Sequence, residues 1–154
     1  MINSKSEICL NYPGINECDI NIDDVIKTLE REKTIILATC ADYRVTTRAM
    51  SHVNEGLTVY FQTGKDYLKC HQIRSNPNVA INVGGYDMEG KATLLGHPLN
   101  KENEFFIKLF EAKHTQYANV WSKKPEELVV KVEINLVRQW RYIDSKPHLA
   151  IGKF

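Results

Sequence analysis

T-T-R-A-M-S-H-V-N-E-G-L-T-V-Y-F-Q-T-G-K-D-Y-L-K-C-H-Q-I-R-S-N-P, residues 46–77, is the stretch that decides the fold. It reads as strand, turn at Asn54-Glu55-Gly56, strand, tight turn at Thr63-Gly64, and short helix from Asp66 to Ser75, stopped by Asn76-Pro77. Alternation places Thr46, Arg48, Met50 and His52 on one face of the first strand. In the second strand it places Leu57, Val59 and Phe61 together. Lys65, Lys69 and Gln72 line one side of the helix. Arg48, Thr63 and Lys69 thus converge where a strand hands over to a helix N-terminus. Such a terminus offers unpaired N–H groups and the positive end of the helix dipole, which suits an anion and phosphate above all.

Outward from this stretch the pattern continues as strands and hairpins. Upstream, Asn21 caps a helix from Ile22 to Glu32, and T-I-I-L-A-T-C, residues 34–40, is a buried strand that returns through Ala41-Asp42-Tyr43. Downstream come strands at Val79–Val83 and Glu89–Leu95. A helix capped by Asn100 follows from Lys101 to about His114, with a further turn over Thr115–Trp121. Strands at Leu128–Ile134 and Val137–Ile143 close the pattern. Phe105, Phe106, Leu109 and Phe110 read as an apolar packing stripe, with Trp121 in the core, and the tail 144–154 carries no signal. Residues 1–20 lack a period and read as an arm on a single domain spanning 1–154. Six or seven strands joined mostly by hairpins, with three helices, make an α+β domain, and closure into a barrel removes the exposed sheet edges.

Composition excludes several classes. A net charge of +1, with basic residues spread along the chain, argues against a nucleic-acid partner. No apolar run approaches membrane-spanning length and no signal peptide is evident, so the expected location is cytoplasmic. Cys9, Cys18, Cys40 and Cys70 form no C-x-x-C pair, and His97, His114 and His148 fall in no ligand spacing, so no metal site is expected. His52 and His71 have no nucleophile at a suitable spacing, and no catalytic side chain is assigned.

The order strand–Arg48–strand–Thr63–helix–Lys69 followed by N-P resembles the pyridoxamine 5'-phosphate oxidase-like split-barrel flavoproteins. K-C-H-Q-I-R-S-N-P, residues 69–77, is similar to that family's K-x-x-Q-hydrophobic-x-x-N-P signature. T-G-K-D-Y-L-K, residues 63–69, is similar to its phosphate turn, with Gly64 in place of an Asp or Asn and Tyr67 in place of a Ser. The resemblance covers residues 22–143. It implies a six-stranded antiparallel split β-barrel with flanking helices, a homodimer, and FMN at the dimer interface.

By position, the resemblance implies that Arg48, Lys69 and Thr63 hold the FMN phosphate, and that Ala49, Met50 and Ser51 border the isoalloxazine. It implies supporting contacts from Gln72 and Lys91, and it sends Trp140 to the partner's flavin. The tail D-S-K-P-H-L-A-I-G-K-F lacks the family's Arg-containing substrate motif. The expected function is therefore an FMN-dependent oxidoreductase acting on an unassigned small molecule. The alternatives are an FMN store or sensor, and a deazaflavin, nitro-reducing or haem-handling relative. A third is a small barrel binding through surface Tyr60, Phe61 and Tyr67 beside Lys65 and Lys69.

Overall fold

The computed structural model describes residues 14–115 and 122–154. The expected helical turn over 115–121, the core role of Trp121 and most of the N-terminal arm lie outside them. The elements are β1 (Asn16–Asp19), α1 (Ile22–Arg31), β2 (Thr34–Ala41), β3 (Arg44–Ser51), β4 (Val53–Glu55), β5 (Thr58–Gly64), α2 (Leu68–Ser75), β6 (Asn78–Val83), β7 (Tyr86–Gly96), α3 (Glu104–Lys113, after a 3-10 turn at Lys101–Asn103), β8 (Glu127–Ile143) and β9 (Lys146–Lys153). The sheet runs β1-β9-β8-β7-β6-β2-β3; β5 pairs with the first half of β8, on the edge that β9 takes over from Leu136 onward, and β4 lies beside β5.

Inward-facing residues of successive strands meet in one cluster. Ile35 and Leu37 of β2, Val59 and Phe61 of β5, Ile81 of β6, Met88 of β7, and Val130 and Val132 of β8 are all buried there. A sheet whose strands share one core wraps around it, which is why this apolar face reads as period-2 alternation. The family resemblance implied a six-stranded antiparallel split barrel and the edge argument a closed one, and the structure differs from these expectations on three points. The described strands number nine. β1 pairs with β9 in parallel. Among the described residues no ladder joins β3 to β5, so the hydrogen-bonded circuit stays open between them.

β5 and β8 are covered on both sides. Their other faces supply Tyr60 and Val129 to a second cluster with Val53 and Phe106, roofed by α3. Tyr60 meets Phe105 edge to face, with centroids 5.0 Å apart. This double burial explains the near-continuous apolar run L-V-V-K-V at 128–132.

Local signals explain most element ends. Asn21 Oδ1 accepts from Asp24 N at 3.3 Å, as its capping role requires. Asn100 makes no such bond. Instead the buried Asn103 donates to the His97 carbonyl at 2.9 Å and ties the turn from inside. The two strands expected at 128–134 and 137–143 are one 17-residue strand. Its register slips between Glu89/Gly90 on β7, where Gly90 pairs with Ile134 and Glu89 with Leu136, leaving Asn135 as the bulge. A Cβ on Gly90 would sit 2.5 Å from the Glu133 carbonyl oxygen, so only glycine permits this approach. No helix among the described residues is long and apolar enough to cross a membrane.

Candidate functional site

A cleft of about 500 Å³ opens beside the strand-to-helix turn. Ala49, Met50 and Ser51 of β3 form one wall, and Gln62, Thr63 and Gly64 at the end of β5 lead to Tyr67 and Lys69. Phe110 and His114, at the end of α3, form a further wall with Glu127 nearby.

The α2 end is built to receive negative charge. Tyr67 occupies the N-cap position without a side-chain cap bond, leaving the helix's first N–H groups to another acceptor. Lys69 Nζ donates to Thr63 Oγ1 at 2.8 Å, and the Thr63 hydroxyl keeps its own proton to donate. The ammonium also lies 4.7 Å from the centre of the Tyr67 ring. That ring packs on Gly64, where an added Cβ would meet it at 3.2 Å and the ring would have to give by a few tenths of an ångström. Burial lowers the pKa of Lys69, and neighbouring Arg48 lowers it further, against raising contributions from Cys70 and Glu127. Burial lowers that of Arg48 as well. Among the described residues the salt bridges are Arg31–Glu32, Lys131–Glu133 and Arg138–Glu89, so neither cation has a carboxylate partner. Lys69, desolvated and without a carboxylate in the first turn of α2, favours a bound anion there; Arg48 acts on it through its charge but is not among the residues lining the cleft.

Gln72 and Arg48 play different parts from Lys69. Gln72 is buried, and its Oε1 accepts from Thr39 Oγ1 at 2.6 Å and Thr46 Oγ1 at 2.7 Å while its Nε2 donates to the Arg44 carbonyl at 2.8 Å. The same two hydroxyls accept from Arg48, at 2.7 Å for Thr39, and Arg48 Nη1 also reaches the Leu37 carbonyl at 3.3 Å. Gln72 therefore orients the hydroxyls that orient the guanidinium. It lies beneath the surface, whereas its helical spacing aligned it with Lys65, which is exposed.

Lys91 is exposed on β7 and does not line the cleft. Trp140 sits on the β8–β9 ribbon, 42% exposed, and lies outside the cleft of its own chain. Residues that sequence reasoning assigned elsewhere complete the site. Phe110, read as packing, and His114, read as unassigned, face the cleft. Cys70 is buried against the Gly64 carbonyl at 3.4 Å, and burial pushes its thiol pKa up, so it behaves as a small apolar residue. No grouping of ligating side chains fit for a metal occurs among the described residues. Of the three aromatics that the binding-module alternative named, Tyr60 and Phe61 are buried and Tyr67 is exposed.

The pyridoxamine 5'-phosphate oxidase family model matches residues 22–141. The chain belongs to that family. It is 38% identical over 76 residues to general stress protein 26 of Bacillus subtilis, a match covering 49% of this chain and about half (53%) of that relative's length. A pyridoxamine 5'-phosphate oxidase-type protein from Listeria innocua superposes with a TM-score of 0.63 at 22% identity, over 76% of this chain and 95% of its own. An F420 reductase, an FAD-binding protein from Mesorhizobium loti and the haem storage protein HutZ from Vibrio cholerae share the fold. Their TM-scores are 0.59–0.63 at 14–20% identity, over 72–77% of this chain and 92–93% of theirs. These likenesses place the chain's sheet-dominated α+β fold, with its three helices, alongside an F420 reductase, an FAD-binding protein and a haem storage protein.

Proposed function

We propose that this protein is a cytosolic, homodimeric FMN-binding flavoprotein of oxidoreductase type, acting on a small molecule. The carrying observation is the Thr63–Lys69 pair at the uncapped start of α2, with Arg48 close by and no carboxylate on either cation. In this reading the FMN phosphate sits at that end, held by Lys69, the Thr63 hydroxyl and the α2 N–H groups, with Arg48 adding charge. The β3 wall at Ala49–Ser51 borders the ring. When bound, the flavin supplies hydride or electron transfer. The chain's own residues anchor and orient it. No side chain is assigned an acid or base role.

His114 is the histidine among the cleft's lining residues, and its Nε2–H donates to the His52 carbonyl at 2.8 Å, so an iron in the cleft would have to take its Nδ1.

Titration with FMN, followed by absorbance and flavin fluorescence, tests the reading. Lys69→Ala and Arg48→Ala should each weaken binding by about 1.5–3 kcal/mol, roughly 10- to 150-fold, with the fold intact. Wild-type protein that ignores FMN, or two variants that bind like it, would overturn the assignment.

The assembly has its own support. Trp140, Tyr142 and Ile143 are 42%, 76% and 50% exposed on the ribbon beyond the main sheet. Trp140 and Tyr142, two residues apart on one face of the strand, fit a second copy, with Trp140 reaching the partner's cleft. Light scattering at micromolar concentration should give a dimer, and a monomer would contradict an interfacial flavin.

A further inference from the structure

A second polar cluster lies behind the α3 wall of the cleft, where the C-terminal ends of α1 and α3 converge. Leu29 O is a carbonyl in the last turn of α1. It accepts from Lys113 Nζ, at the end of α3, at 2.6 Å. Lys33, just past α1, donates in return to the Lys113 carbonyl. Each helix thus has an unpaired C-terminal carbonyl met by a lysine from the other's end, where positive charge is favoured. His52 is inserted between them, fully buried, with Nε2 2.9 Å from Leu29 O and 3.2 Å from Lys113 Nζ. Its Nδ1 is buried without a partner. The His52 carbonyl accepts from His114, whose ring stacks on Phe110 at 4.5 Å between centroids. Phe110 and His114 are the two cleft-lining residues from the α3 end.

We propose that His52 and Lys113 are positioning residues for the cleft, docking the Phe110–His114 wall, and that acid which charges His52 undocks this wall and releases the cofactor. The proposal rests on the FMN reading for the identity of that cofactor.

The charges around each group support it. His52 faces the positive Lys113 and His114. Lys113 feels the like charge of Lys33 and the opposite charges of Glu30 in α1 and Glu32 just past it. His114 faces Lys113 and Lys33. None of the charges acting on His52 is a carboxylate, so an imidazolium there would stand 3.2 Å from an ammonium with no counterion. Burial and these neighbours lower its pKa to about 4. Withdrawing Lys113 from Leu29 O relieves the conflict, and α3's last turn carries Phe110 and His114 with it.

The experiment compares wild type, His52→Gln and Lys113→Met. FMN release is followed by flavin fluorescence from pH 7.5 down to pH 4. In parallel, apo-protein is titrated by NMR through its imidazole and backbone amide signals. Expected for the wild type are an acid release step and, in the apo-protein, α3 amides 104–113 moving with the His52 titration while β6 amides stay fixed. His52→Gln should shift FMN release by about one pH unit or more toward acid, the titration of the FMN phosphate being common to all three proteins. In Lys113→Met, His52 should titrate at higher pH and the α3 amides should no longer follow it. Identical release curves in wild type and His52→Gln, or a His52 titration that leaves α3 unmoved in the wild type, would overturn the proposal. If His52→Gln does not fold, the Lys113→Met titration decides. A wild type that binds no FMN at pH 7.5 would sink the flavin reading instead, and the apo titration would still test the docking.

Discussion

Between pH 6.5 and about 4 the folded state should lose on the order of 3 kcal/mol through His52 alone. Burial is the largest cause of its lowered pKa, followed by the Lys113 charge, while the bond to Leu29 O works weakly the other way. The sign follows from where each state takes its proton. Above pH 6.5 the ring is neutral in both states and its contribution is complete. As pH falls the unfolded chain binds a proton first, and the native state loses ground until its own ring charges near pH 4. Each pH unit separating the two pKa values is worth about 1.4 kcal/mol, which sets the size. Lys113, lowered to about 8, acts in the same direction at the alkaline end. The unfolded chain holds that proton up to the ordinary lysine range, so stability climbs between about pH 8 and 10.5. Urea midpoints measured across pH should show a steep acid limb in the wild type and a flatter one in His52→Gln. Only the slopes are compared, because the substitution also changes the offset. Equal acid slopes would mean that His52 charges freely in the native state.

Phe106→Ala should cost about 3–5 kcal/mol, the range for truncating a buried phenylalanine. Its ring is fully buried between α3 and the outer faces of β4, β5 and β8, against Val53, Tyr60 and Val129. It also lies 5.4 Å from the Phe110 ring. The hole left would be lined by sheet residues pinned by their ladders, so little collapse is available. For a domain of this size the melting temperature should fall by roughly 10 °C. Because Phe106 holds α3 down, FMN affinity should fall with stability. Phe110→Ala is the contrast: it is half-buried and lines the cleft, so it should cost less stability while still weakening the cofactor. Calorimetry on both variants checks this. A Phe106→Ala protein within 1 kcal/mol of wild type would show that α3 is held elsewhere.

The sequence disclosed the anion end of the site because its geometry is local. Thr63 and Lys69 are six residues apart across one turn, and strand and helix periods alone bring them together. Gln72 was legible as a motif residue but not as a buried one, since its three partners come from β2 and β3. Phe110 and His114 were hidden for a related reason. A Phe stripe reads as packing until the sheet beneath it is known, and only Phe106 of the pair four residues apart is fully covered. Asn135 interrupted an apolar pattern and suggested two strands where a bulge keeps one. The tail gave no period because its order comes from outside. Asp144 and Ser145 adopt positive φ of 49° and 61° in the turn, and β8 then templates K-P-H-L-A-I-G-K from Ile143↔Lys146 onward. N-E-C-D at 16–19 has no apolar face at all and becomes a strand only because β9 is there.

That parallel pair also bears on the timing of assembly. β6 and β7 meet across a two-residue turn, whereas Asn16 meets His148 across about 130 residues of chain. The search entropy of closing so long a loop, spent on a four-residue strand exposed along its whole length, places this contact at the end of folding and at the low-stability margin of the native ensemble. The hairpins β2–β3, β6–β7 and β8–β9 need no such search. The chain can thus complete the wall of its cleft before its first strand has found a partner.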